Sequence, residues 1–168
     1  MIVRPPLSIP SYADELLTPC EHRVMELVAR GKNDAQIAVL IVIERQTVSH
    51  HVRNVCQKFG TVNRTVATVQ YDLRYGHRAT ADEQQPVTKR LSTQECHVIE
   101  CAAEGLSDPQ IAMRLGVSPS TVRQHLLSVR RKLNAPNRTA AAVEYYRHVR
   151  LLAHIQMTGS EDVDYVLG

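Results

Sequence analysis

Apolar residues in the second half of the chain recur at helical spacing. Val122, Leu126, Val129 and Leu133 step i, i+4, i+7, i+11 and line one face of a helix. Upstream, Val98, Ile99 and Ala102 share a face, as do Ile111 and Leu115. The polar residues between these runs punctuate them. Ser92, with Glu95 three residues later, makes a capping box, and Gly105 is a good stop because it tolerates positive φ. Ser107 can cap a second helix, Gly116 permits a tight turn, and Ser118 followed by Pro119 opens a third helix. Asn134-Ala135-Pro136 breaks the chain, and Asn137 can cap a fourth helix running to about Gln156. Four helices with a short Gly turn between the second and third describe a helix-turn-helix unit. The same pattern suits a small helical bundle that binds only protein.

The pattern occurs twice. Shifted by 74 residues, positions 17–65 align with 91–139 without a gap, and 18 of the 49 positions are identical. The identities include Leu17/Leu91, Glu21/Glu95, Gly31/Gly105, Ile37/Ile111, Thr47/Thr121, His51/His125 and Lys58/Lys132. The run Asn63-Arg64-Thr65 returns as Asn137-Arg138-Thr139, and Ala67, Val69 and Tyr71 match Ala141, Val143 and Tyr145. The expected architecture is all-α: two tandem four-helix helix-turn-helix units joined by a polar linker. Its parts are an N-terminal extension (1–16), a first unit (17–75), a linker (76–90), a second unit (91–156) and an acidic tail (157–168). The linker GHRATADEQQPVTKR holds Gly and Pro and lacks apolar periodicity. Fully extended, it would span roughly 50 Å at about 3.3 Å per residue. Ala140, Ala141, Val143, Val149, Leu152 and Ile155 form a seam on the fourth helix of the second unit. This seam predicts a homodimer through 138–156, the alternative being that the two copies pair inside one chain.

Charge sharpens this picture. The net charge is +3, but residues 17–78 carry +4, residues 89–150 carry +5 and the remainder carries −6. Two basic blocks between acidic ends suit two anion-binding heads. Four Cys with no CxxC pair point to reduced thiols rather than to disulfides or a metal site. No apolar run is long enough to span a membrane and the start is no signal peptide, so a cytoplasmic protein with no membrane partner is expected. No carboxylate pair, Ser/His/Asp set or Gly-rich phosphate loop stands out, which argues against an enzyme. No cofactor, catalytic residue or metal ligand is expected.

The second copy resembles the LuxR/NarL-type DNA-binding domain. The matching pieces are Leu91-Ser92, Glu95, Gly105, Ile111-Ala112, Leu115-Gly116, Ser118, Thr121-Val122, His125, Arg131-Lys132-Leu133 and Arg138-Thr139. The resemblance implies that the third helix enters the DNA major groove and that the fourth forms dimers. The first copy is similar to the same family but departs at the turn. Val42 stands where the second copy has Gly116, and Glu44 stands where it has the capping Ser118. Val at a left-handed turn position is strained, so a reshaped turn is predicted, with the third helix starting near Arg45. Sixteen residues before Leu17 are too few for a receiver or autoinducer domain, so direct control by phosphorylation or autoinducer is not expected.

Opposite the apolar stripe, the third helix of the second copy presents Ser120, Arg123, Gln124 and Leu127, and that of the first presents Gln46, Ser49, His50 and Arg53. These are the candidate base-reading residues. Arg can bond two acceptors of guanine, Gln can pair with adenine, and Leu127 can meet a thymine methyl. The phosphate candidates are Thr47, His51, Lys58 and Arg64 in the first copy, and Thr121, His125, Arg131, Lys132 and Arg138 in the second. For the two histidines a structural role tying helix to helix stays open. The functional expectation is a sequence-specific transcription regulator whose partner is double-stranded DNA. An architectural or recombination accessory protein, and a protein-interaction module such as an anti-activator, stay open beside it. The unit is also similar to region 4 of sigma factors, which keeps RNA polymerase or a regulator protein open as a partner.

Overall fold

The computed structural model describes residues 17–76 and 90–158. Among them are eight helices: α1 (Pro19–Ala29), α2 (Asp34–Ile41), α3 (Arg45–Lys58), α4 (Arg64–Tyr75), α5 (Thr93–Ala103), α6 (Asp108–Leu115), α7 (Pro119–Lys132) and α8 (Arg138–Thr158). Apart from the longer α8, the second set repeats the first at the offset found in the sequence. The fold is all-α, as expected. The N-terminal extension, all but the ends of the linker and most of the acidic tail lie outside the described residues; α8 runs two residues past the expected boundary.

The caps are those the side chains offer. Thr18 and Ser92 open α1 and α5 with full capping boxes to Glu21 and Glu95. Asn33 and Gln36 do the same for α2, and at α6 Gln110 Oε1 accepts from Ser107 N and Ser107 Oγ, both at 2.8 Å. Asn137 Oδ1 accepts from Ala140 N at 2.9 Å, which starts α8. Within each unit α1 or α5 packs against the third helix, and α2 or α6 packs across it. Val48, Val52 and Val55 on α3, and Val122, Leu126 and Val129 on α7, are buried as the periodicity required. Each such side chain contributes about 1.5–3 kcal/mol on leaving water.

The turn before α3 is not reshaped. Val42 adopts φ 56°, ψ 53°, the same left-handed conformation as Gly116 at φ 67°, ψ 33°. The turn hydrogen bond is also the same: Ile43 N to Ala38 O and Val117 N to Ala112 O, both 3.0 Å. Ile37 and Val48, fully buried on either side, fix the helix pair and leave the residue between them one backbone path. The Val42 side chain is 89% exposed, so it clashes with no neighbour, but a β-branched residue at positive φ still costs about 1–3 kcal/mol. Helix α3 starts at Arg45 as expected.

The two units join along α4 and α8, with further contacts of α1 on α8 and of α4 on α5. The joint has pseudo-two-fold symmetry. Asn63 Nδ2 donates to Gly105 O at 3.0 Å, and Asn137 Nδ2 donates to Gly31 O at 2.8 Å. Thr65 Oγ1 meets its own counterpart, Thr139 Oγ1, at 3.0 Å, which places these threonines on the axis. Gly31 and Gly105 allow the close approach: a Cβ on Gly31 would lie 2.3 Å from Pro136 Cγ, and one on Gly105 would lie 2.9 Å from Val66 Cγ2. Ala29 and Val69 of the first unit belong to the core of the second. Part of the seam expected to bind a second chain is thus consumed within this one. Ala140, Ala141 and Val143 are buried in that shared core and Val149 packs on its edge; the side chains of Leu152 and Ile155 lie outside the described residues.

Candidate nucleic-acid interface

Burying one stripe of α3 and α7 forces the opposite stripe outward. Gln46, His50 and Arg53 on α3 are exposed, as are Ser120, Arg123 and Gln124 on α7. Leu127 keeps 45% of its surface in water. The main helix-to-helix contacts between the units run through α1, α4, α5 and α8 rather than through α3 or α7. Ser49 is the exception. It is half-buried, and its hydroxyl donates to Asp34 Oδ2 at 2.9 Å, toward its own unit rather than outward.

The start of each reading helix differs. Ser118 caps α7, its Oγ accepting from Thr121 N at 3.1 Å and bonding Thr121 Oγ1 at 2.8 Å. Glu44 makes no such bond at α3. Its carboxylate stands with Gln46, Thr47, Ser49, His50 and Arg53 around a shallow recess on the face of α3.

Four of the expected phosphate ligands have other partners. Lys58 Nζ lies 2.8 Å from Glu21 Oε2, and Lys132 Nζ lies 2.7 Å from Glu95 Oε2. These pairs tie the end of the reading helix to the start of the first helix in each unit. Burial opposes the charge on Glu95, but Lys132, Ser128 and Ser92 outweigh it and hold its carboxyl at about 2. Glu21 is lowered in the same way, against burial, by Lys58 and Thr18. Arg64 bonds Asp34, and Arg138 Nη1 lies 2.7 Å from Asp108 Oδ1, fastening the fourth helix to the second. The charge of all four cations is matched inside its own unit, which reduces what each can offer a phosphate. His51 Nε2 lies 3.3 Å from Cys20 Sγ, in keeping with the helix-tying alternative. His125 and Thr121 are half-buried on α7, while Thr47 and Arg131 are exposed and available to a polyanion.

A basic cleft lies where the units meet, and of its lining only Arg64 was among the candidate site residues. It measures about 570 Å³ and is lined by Lys32, Asp34, Arg45 and Arg64 of the first unit and by Asn137 and Thr139 of the second. Arg45, the first residue of α3, therefore stands beside the pseudo-two-fold axis. Lys32 and Arg45 are exposed. The signal for them was their difference between copies: Leu106 and Pro119 hold the same positions in the second unit. Among the described residues no group of side chains is arranged to hold a metal ion, and the four thiols are free.

The chain matches the family of bacterial regulatory proteins, luxR family, twice, over residues 15–70 and 89–145. It is 40% identical over 55 residues to the HTH-type quorum sensing-dependent transcriptional regulator RpaR of Rhodopseudomonas palustris, covering 33% of this chain and 23% of that one. It is 40% identical over 60 residues to the nitrate/nitrite response regulator protein homolog of Haemophilus influenzae (36% and 29%). To the probable transcriptional regulatory protein NarL of Mycobacterium tuberculosis it is 43% identical over 67 residues (40% and 31%). The chain thus spans less than a third of the length of these curated relatives. No solved structure matches it. Among the described residues no helix is long and apolar enough to cross a membrane.

Proposed function

Because the chain belongs to the luxR family of bacterial regulatory proteins, we propose that it regulates transcription by binding double-stranded DNA, with α3 and α7 each set into a major groove. The observation that carries this is the two-faced character of both helices. One stripe is buried in its unit, and the opposite stripe presents Arg, Gln and His to solvent on a cylinder narrow enough for the groove. Arg123 and Gln124 read bases, Leu127 packs against a thymine methyl, and Gln46, His50 and Arg53 do the reading in the first unit. Thr47, Arg131, Lys32 and Arg45 hold the backbone. Lys58, Lys132, Arg64 and Arg138 act one step back, by fixing the helices that carry those groups.

Fluorescence anisotropy against duplexes recovered from genomic fragments tests this. Affinity should fall steeply as salt rises, because each neutralised phosphate releases counterions. Arg123→Ala should weaken the preferred duplex by about ten-fold and leave random duplex nearly unaffected, whereas Arg131→Ala should weaken both alike. Binding that ignores salt, or an Arg123→Ala protein that retains full preference, would overturn the proposal.

A further inference from the structure

Resting on the DNA-binding reading, we infer that one chain, paired with itself, occupies one duplex, and that its target is a non-palindromic pair of half-sites read in one fixed orientation. Three observations carry this. The first is the joint. Reciprocal bonds from Asn63 to Gly105 and from Asn137 to Gly31, with Thr65 against Thr139 on the axis, make an isologous contact of the kind that ordinarily joins two identical chains. Both halves of that contact are here in one polypeptide. The packing of α4 on α8, rather than the reach of a linker, sets the distance and angle between α3 and α7.

The second observation is that the symmetry stops at the reading surfaces. Position by position, Gln46 faces Ser120, Ser49 faces Arg123, His50 faces Gln124 and Arg53 faces Leu127. At the third of these helical steps one head offers an imidazole and the other a carboxamide; at the last, one offers a guanidinium and the other an apolar group. No single base sequence satisfies both sets, because a site built to bond one donor pattern is poorly matched to the other. Ser49, drawn back to Asp34, further separates the first head from the second, whose Arg123 is exposed.

The third is the placement of cationic groups. The first unit has Lys32 and Arg45 beside the axis, where the second has Leu106 and Pro119. The second has exposed Arg131 at the end of its reading helix, where the first has Gln57; its neighbour Arg130 is half-buried and donates to Pro136 O. The two heads therefore offer a polyanion their exposed cations at opposite ends of the reading helix, Arg45 at the start of α3 and Arg131 at the end of α7. Such a surface distinguishes the two orientations of a duplex, which a symmetric dimer does not.

Selection from a random double-stranded library with the full chain tests the inference, followed by mass measurement of the complex on the recovered duplex. The expected result is a consensus of two unlike half-sites at constant spacing, with one chain per duplex. Arg123→Ala should relax the sequence of one half-site by about ten-fold and Arg53→Ala that of the other, neither affecting both. A perfect inverted repeat, two chains per duplex, or a single half-site would overturn this inference while leaving the DNA-binding reading standing. Failure to enrich any duplex, with no salt-sensitive binding, would overturn both.

Discussion

Val42 carries a backbone conformation that its side chain disfavours, and that side chain gains nothing in return, since it lies in solvent. Val42→Gly should therefore raise the unfolding free energy by about 1 kcal/mol, read as a higher midpoint in urea, whereas Gly116→Val should lower it by a similar amount. Composition and spacing revealed that this residue was wrong for the turn. They did not reveal that the turn would be kept, because Ile37 and Val48, which hold it, act only through tertiary packing. The ion pairs were hidden for a related reason. Glu21 and Lys58, like Glu95 and Lys132, are 37 residues apart, beyond any local rule. Yet both members of each pair are identical between the copies, and so are Asp34/Asp108 and Arg64/Arg138. Positions that recur together were recording contacts. Glu95 gives the pair a pH signature. Its carboxyl is depressed from 4.5 to about 2 in the folded protein, so the stabilisation is complete above the ordinary carboxylate range and is lost as pH falls toward 2. Between pH 7 and pH 3 the protein should lose on the order of 2 kcal/mol that a Glu95→Gln variant has already lost at pH 7. Urea titrations at the two pH values would show whether the gap between the proteins closes.

At the scale of elements, the helices and their starts were legible because each cap is local. Ser92, Ser118 and Asn137 lie within three residues of the N–H groups they satisfy. The reading faces followed from the buried stripes with no further information. Helix α3 is the weaker of the two reading helices at its start: Glu44 makes no side-chain cap bond, and Ser118 does at α7. Glu44→Ser should add about 1 kcal/mol to stability through a restored cap. Removing a negative charge next to Arg45 should also strengthen DNA binding if α3 lies on a phosphate backbone, so melting and binding are to be measured together. A variant that gains stability with unchanged or weaker DNA affinity would move α3 away from the duplex.

For the whole molecule, the two-unit plan was visible from the repeat, but the way the units meet was not. The seam on the last helix predicted a second chain, with an internal partner as the alternative, and part of it is buried inside this chain. The internal pairing uses the glycines at 31 and 105, which let Pro136 and Val66 approach the opposite unit. The Asn-Arg-Thr run common to both copies now has a physical account: Asn bonds the opposite unit, Arg fastens its own, and Thr meets its twin. One contact breaks the symmetry. Arg147 bonds both oxygens of buried Asp72, although Tyr146 and Leu73 stand at the corresponding positions. Asp72→Arg should open the joint and lower stability by about 2–3 kcal/mol, and Arg147→Glu in the same chain should recover much of it. Hydrogen exchange at α4 and α8 would report the opening and its reversal.

The two threonines facing each other on the axis have a consequence for dose. Regulators assembled from separate chains leave their sites as the square of concentration once diluted below their association constant. Here the halves arrive already joined, so on the proposed reading of one chain per duplex no such threshold applies, and occupancy of a target would scale with the first power of copy number even when a cell holds only a few molecules.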